Sequence, residues 1–230
     1  MLLSEMNPEG CALPITGKGH ELLDLYACYR PIIEARMAEF SRLWRRASEE
    51  CLFRELVFCL FTPQSKARSC WAAVECLCDK NLLFGGCAED IAREIRGSVR
   101  FHNHKARRVV QARELFTIDG RLAVRPRIEG FPDNGSARLW MAEAVEGLGL
   151  KEASHFLRNI GRGEGLAILD RHILRNLARY GVIDKVPSSL SRARYLAIEQ
   201  AMAGFAAELG LPLAHLDMLL WCKETGEVFK

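Results

Sequence analysis

The stretch that decides the fold reads Ala137-Arg-Leu-Trp-Met-Ala-Glu-Ala-Val-Glu-Gly147-Leu-Gly149-Leu-Lys151-Glu-Ala-Ser-His-Phe-Leu-Arg-Asn-Ile-Gly161. Its apolar spacing predicts a helix over 137–145, a tight turn carrying two glycines, and a second helix over 151–160. Gly147 and Gly149 permit positive φ and close backbone approach, and the helix that follows opens with amide groups that have no partner inside the helix. Free N–H groups at the positive end of a helix dipole suit an anion such as a DNA phosphate, gripped without reading any base. Joining two antiparallel helices is the plainer use of such a turn.

Lys151 sharpens the reading. In the first turn of a helix an ammonium faces the positive dipole end, which costs about 0.3–1 kcal/mol and favours the neutral amine. A neutral lysine amine is a nucleophile, and partial burial in an apolar site pushes in the same direction. Downstream, Leu166-Ala-Ile-Leu-Asp170-Arg-His-Ile-Leu is an apolar run ending in one acid ahead of another helical pattern. Asp170 reads as an N-cap, and capping would fix its carboxylate in place.

Outward from the hairpin the period stays helical. Leu22, Leu23, Leu25, Tyr26, Tyr29, Ile32 and Ile33 recur at helical intervals, as do Leu52, Leu56, Val57, Leu60 and Phe61. Further helices are expected over 69–78, 88–96, 104–116, 172–180, 190–209 and 212–222, with 121–136 as the clearest loop and strand-like alternation almost absent. The fold class is therefore all-α. Pro63 after Thr62 sets a helix boundary or kink there.

Composition bounds the rest. The chain has 230 residues, 49% of them hydrophobic, and a net charge of +3 that permits nucleic acid without announcing it. The nine cysteines, an odd number scattered among apolar residues, fit reduced thiols in a cytoplasmic protein. Cys76-x-Cys78 is too tight for the usual metal spacing, and His102-x-His104 sits in a basic segment, so no metal and no cofactor are expected. No apolar run reaches the roughly 18 residues of a membrane span, and a soluble protein with no membrane partner is expected.

Gly-x-Gly-x-Lys followed by an Asp about twenty residues on resembles the helix-hairpin-helix DNA glycosylases, in their bifunctional members. Phe61-Thr-Pro-Gln64-Ser-Lys-Ala, Val99-Arg-Phe101-His-Asn-His-Lys105-Ala and the ending Leu219-Leu-Trp221-Cys-Lys-Glu-Thr-Gly-Glu-Val-Phe-Lys230 resemble one branch, the archaeal-type 8-oxoguanine DNA glycosylase/AP lyases. The resemblance implies that Lys151 is the Schiff-base nucleophile and Asp170 the acid that assists it. It implies a base pocket with Trp221, Lys230 (through side chain or carboxylate) and Phe101, and DNA contacts from Gly147, Gly149, Leu150 and Gln64, the last filling the gap left by the extruded nucleotide.

It further implies two helical domains with the active site in the cleft between them: 1–50 plus 165–230 as a discontinuous domain, and 51–164 as an inserted one containing the helix-hairpin-helix at 137–161. The expected partner is duplex DNA carrying a damaged base, bound by a monomer. The segment 1–20 matches nothing in the family pattern, and the loop 121–136 looks long for it. Three other readings stay open: the same chemistry on oxidised pyrimidines, a non-enzymatic helix-hairpin-helix module with Lys151 on a phosphate, and an unrelated all-α protein with a fortuitous turn.

Overall fold

The computed structural model describes residues 17–230; most of the 1–20 segment, with Cys11, lies outside the described residues. Among the described residues there are twelve helices and one two-stranded hairpin, so the all-α expectation holds. α1 (Gly17–Arg46) runs through Pro31, and α2 (Glu49–Phe61) follows after a two-residue break.

α2 organises the larger half. Ser48 caps it by accepting from the Cys51 amide at 3.4 Å, Glu49 and Glu50 complement the dipole in its first turn, and nearly all of Leu52–Phe61 is buried. A helix apolar on every side belongs at the centre of a core. Around it pack α3 (Ala67–Asp79), α6 (His102–Leu115), α7 (Val124–Glu129) and α9 (Leu150–Asn159), with α4 (Leu82–Gly85), α5 (Ala88–Glu94) and α8 (Asn134–Ala144) completing the cluster. A second core gathers α1, α10 (Arg171–Arg179), α11 (Arg192–Glu208) and α12 (Leu213–Thr225). The first core takes its buried residues from 52–166 and the second from 22–40 and 167–220.

The 121–136 loop is corrected. β1 (Thr117–Ile118) and β2 (Arg121–Leu122) pair across Asp119-Gly120, both at positive φ, and α7 follows directly. An Asp-Gly turn is a hairpin signal in its own right. Pro126 stands in the first turn of α7, where a missing N–H costs nothing, so proline there did not exclude a helix. Arg125 of α7 then ties the halves together: its guanidinium donates to the Trp44 and Ala47 carbonyls at the end of α1, at 2.8–3.1 Å, and pairs with Glu49 at 2.7 Å.

Candidate active site at the junction of the two cores

The hairpin spans the junction. Leu148 is buried in the first core and Leu150 packs on the second, so Lys151, one residue later, emerges where they meet. It occupies the second position of α9, with about a quarter of its side chain exposed. Lys151 lines a cavity of about 410 Å³ that Leu139, Leu150, Leu190 and Tyr195 also line.

Gly147 takes φ +92°, and a Cβ there would collide with the Arg108 side chain at 2.5 Å, so the glycine is what lets α6 lie against the turn. Gly149 caps α9 with φ −97°. Its amide is not free as the sequence suggested: the Glu152 carboxylate accepts from it at 3.3 Å, and the other oxygen of Glu152 lies 3.7 Å from the Lys151 ammonium. Glu152 thus takes the place at the helix start that suits an anion.

Asp170 arrives from the other core. It caps α10, and its Oδ1 accepts from the His172 and Ile173 amides at 2.8 and 2.9 Å. Between the cores runs 166–170, a stretch of neither helix nor strand with Leu166, Ala167, Ile168 and Leu169 all buried. Buried amides outside regular structure need side-chain partners. The Ala167 amide donates to Glu199 at 2.7 Å, the Ile168 amide to Asp217 at 2.7 Å, and the Leu169 amide to the Tyr195 hydroxyl at 3.3 Å, while that hydroxyl donates to the Ala167 carbonyl at 2.7 Å.

The same two carboxylates close buried ion pairs with the first core, Glu199 with Arg138 of α8 at 2.5 Å and Asp217 with Arg158 of α9 at 3.3 Å. Burial pushes Asp217 up to about 6 against the pull of Arg158, and the charges of both Asp170 and Lys151 also act on it. Burial pushes the Tyr195 phenol well up, so it stays protonated and can donate.

The C-terminal tail straddles the cores as well. Val228 packs on the second and Phe229 on the first, its ring 6.3 Å from Phe58. The Lys230 ammonium pairs with the buried Glu55 and sits 3.2 Å from the centre of the Trp71 ring. Burial lowers its pKa, opposed by Glu55. Trp221 is half-buried against the second core. The Lys230 ammonium and Trp221 therefore sit on different cores, and the aromatic ring beneath the ammonium is Trp71, which sequence reasoning did not single out. Neither did it find His155, one turn after Lys151 and buried beside the Lys230 main chain. Burial holds its pKa well down, helped by Arg158 and Lys151 and opposed by the Lys230 main chain.

Gln64 and Phe101 form a third feature. Both are exposed non-glycine residues with left-handed backbone, φ +56° and +58°, and Phe101 has 52% of its surface open. Their loops are tied together: the Arg100 amide donates to Ser65 Oγ at 3.0 Å, and the Lys105 ammonium donates to the Phe61 and Pro63 carbonyls and to Ser65 Oγ at 2.6, 2.7 and 3.2 Å. Lys105 is thus spent on closing α2 and holding the Gln64 turn, and its burial lowers it to about 8. The helix boundary expected at Thr62-Pro63 is present, with Thr62 as the C-cap of α2.

Among the described residues no group of three His, Cys, Asp or Glu side chains could hold a metal ion, and no single helix is long and apolar enough to cross a membrane.

A sequence model described as 8-oxoguanine DNA glycosylase matches residues 33–211. An 8-oxoguanine DNA glycosylase/AP lyase of Fusobacterium nucleatum is 38% identical over 92% of this chain and 97% of its own, and one of Korarchaeum cryptofilum is 42% identical over 87% and 91%. The crystal structure of the Methanocaldococcus jannaschii 8-oxoguanine DNA glycosylase superposes with a TM-score of 0.83 at 32% identity, covering 93% of this chain and 96% of that one. The same enzyme in complex with 15mer DNA containing 8-oxoguanine gives 0.84 at 31% identity, covering 93% and 99%. With a helix-hairpin-helix that presents a lysine at the junction of two helical cores, and with likeness of this extent in sequence and structure, the chain belongs to the 8-oxoguanine DNA glycosylase family.

Proposed function

We propose that this protein excises 8-oxoguanine from duplex DNA and then nicks the strand, with Lys151 as nucleophile and Asp170 as its acidic partner. The observation that carries the reading is the placement of the two residues: Lys151 opens α9 and Asp170 opens α10, on either side of the seam between the cores. The nitrogen lone pair of Lys151 forms a bond to C1′ of the extruded nucleotide. The C1′–N9 bond breaks, and its electron pair leaves with the base, which takes up a proton. Asp170 stabilises the positive charge that develops on the sugar. Ring opening and loss of the amine proton give the imine; removal of a C2′ proton then expels the 3′ phosphate, and water releases the lysine.

The hairpin at Gly147, Gly149 and Leu150 meets the DNA backbone, Glu152 yielding the Gly149 amide to a phosphate. Gln64 enters the gap left by the extruded nucleotide, held in its left-handed turn by Lys105. Trp221, Lys230 and Phe101 surround the base. With its ammonium committed to Glu55 and Trp71, the Lys230 side chain serves as a fixed wall. Both site residues come from one chain, which suits a monomer, and the eight free cysteines among the described residues suit a reducing cytoplasm.

The test is a duplex carrying one 8-oxoguanine, incubated with and without borohydride. Wild type is expected to give a nick and a covalent adduct, and Lys151→Gln to give neither while still binding the duplex. Binding by wild type with no excision would leave a DNA-holding module and defeat the proposal.

A further inference from the structure

A segment that is buried, irregular and one residue from a site carboxylate must be fixed by something, because main-chain groups without partners cost about 1–3 kcal/mol each. For 167–169 every amide goes to a side chain of α11 or α12, and none to another backbone. Tyr195 holds two points at once, receiving the Leu169 amide and donating to the Ala167 carbonyl. Glu199 Oε1 accepts from both the Ala167 amide and Arg138, and Asp217 accepts from the Ile168 amide with Oδ2 and from Arg158 with Oδ1, so each joins this segment to an arginine of the first core. The three side chains thus read the position of the segment relative to the core that carries Lys151, and pass it to Asp170.

We propose that Tyr195, Glu199 and Asp217 are positioning residues that act through Asp170, locking the main chain of 167–169 so that its carboxylate meets the charge developing beside Lys151. This rests on the excision chemistry proposed above. Tyr195 is the most informative member. Tyr195→Phe removes one hydroxyl, leaves the ring under Arg138, and alters no charge.

Single-turnover excision of 8-oxoguanine at saturating enzyme is measured for wild type, Tyr195→Phe, Asp170→Asn and the double variant, with duplex affinity measured in parallel. A misplaced catalytic group costs up to about 100-fold in rate, so Tyr195→Phe is expected to slow excision by about 10- to 100-fold with affinity within about twofold. If the hydroxyl acts through Asp170, the double variant is no slower than Asp170→Asn alone, because the group being positioned is already gone. Losses that multiply, or a Tyr195→Phe rate equal to wild type, overturn the proposal.

Should Tyr195→Phe fold poorly by circular dichroism, Glu199→Gln replaces it in the same cycle with the same expectation, since the amide oxygen still receives the Ala167 N–H and supports folding while the charge that ties the segment to Arg138 is lost. Wild type that excises nothing defeats the proposed function instead, so the two failures are distinguishable.

Discussion

The hairpin at 147–151 and the crossing segment at 166–170 each deliver one side chain to the same seam, and they are fixed by different means. The hairpin is local: two glycines, a helix start, and a capping glutamate three residues on set the position of Lys151. The crossing segment is global, its main chain held by side chains 26 to 49 residues further along the chain. Local placement depends on backbone conformation and tolerates changes elsewhere. Global placement depends on buried charges that must all be present together, and it couples the geometry of Asp170 to the joining of the two cores.

The largest effect should follow from breaking the global device. Glu199→Ala leaves Arg138 buried without its carboxylate and the Ala167 amide without an acceptor. It is expected to lower the unfolding free energy by about 3–5 kcal/mol in urea titration. A loss under about 1 kcal/mol would mean that the buried pair does not join the cores.

Next come the glycines at either end of α9. Gly161 has φ +79°, and a Cβ there would lie 2.6 Å from the Phe40 carbonyl oxygen of α1, a backbone atom that cannot step aside. Gly161→Ala is expected to cost about 2–4 kcal/mol, as steric changes at special backbone positions do. At Gly147 the obstacle is the flexible Arg108 side chain, so Gly147→Ala is expected to cost only the left-handed strain, about 1–2 kcal/mol, by the same titration. Equal losses would remove the distinction between a core-joining glycine and a turn glycine.

A pH-dependent effect distinguishes Lys105. Its pKa falls from the ordinary lysine value to about 8 because burial penalises the ammonium. The unfolded chain keeps this proton to higher pH than the folded one, so the penalty is fully present below about 8 and is relieved as pH rises. At about 1.4 kcal/mol per unit, wild type should gain up to about 3 kcal/mol relative to Lys105→Met between pH 8 and 10.5. A difference that is flat with pH would mean that Lys105 stays charged.

Much of this was legible in the sequence because it is written in short range. The helices, the break at Thr62-Pro63, the glycine turn, Lys151 in the first helical turn and the Asp170 cap all follow from spacing and capping rules within a few residues. The β1–β2 hairpin and α7 were also written locally, in Asp119-Gly120 and in a proline at the first turn, but proline and glycine read first as loop. What could not be read was pairing at a distance. Nothing near Lys230 announces Glu55 and Trp71, nothing near Gln64 announces Lys105, and the acids that hold 166–170 look like ordinary charges on apolar helices. His155 looks like any helix residue until its burial is seen.

The central claim is that Lys151, and no other lysine, attacks the sugar. Lys105 and Lys230 are the chemical rivals, since burial lowers the pKa of both. Their placement differs from that of Lys151: Lys105 is 1% exposed and spent on three acceptors, and Lys230 is paired with Glu55, whereas Lys151 opens onto a cavity at the seam. The direct measurement is to trap wild-type protein on an 8-oxoguanine duplex with borohydride, digest the adduct, and locate the modified peptide by mass spectrometry. A single modified residue, Lys151, is expected. Modification of Lys105 or Lys230 in its place would contradict the claim.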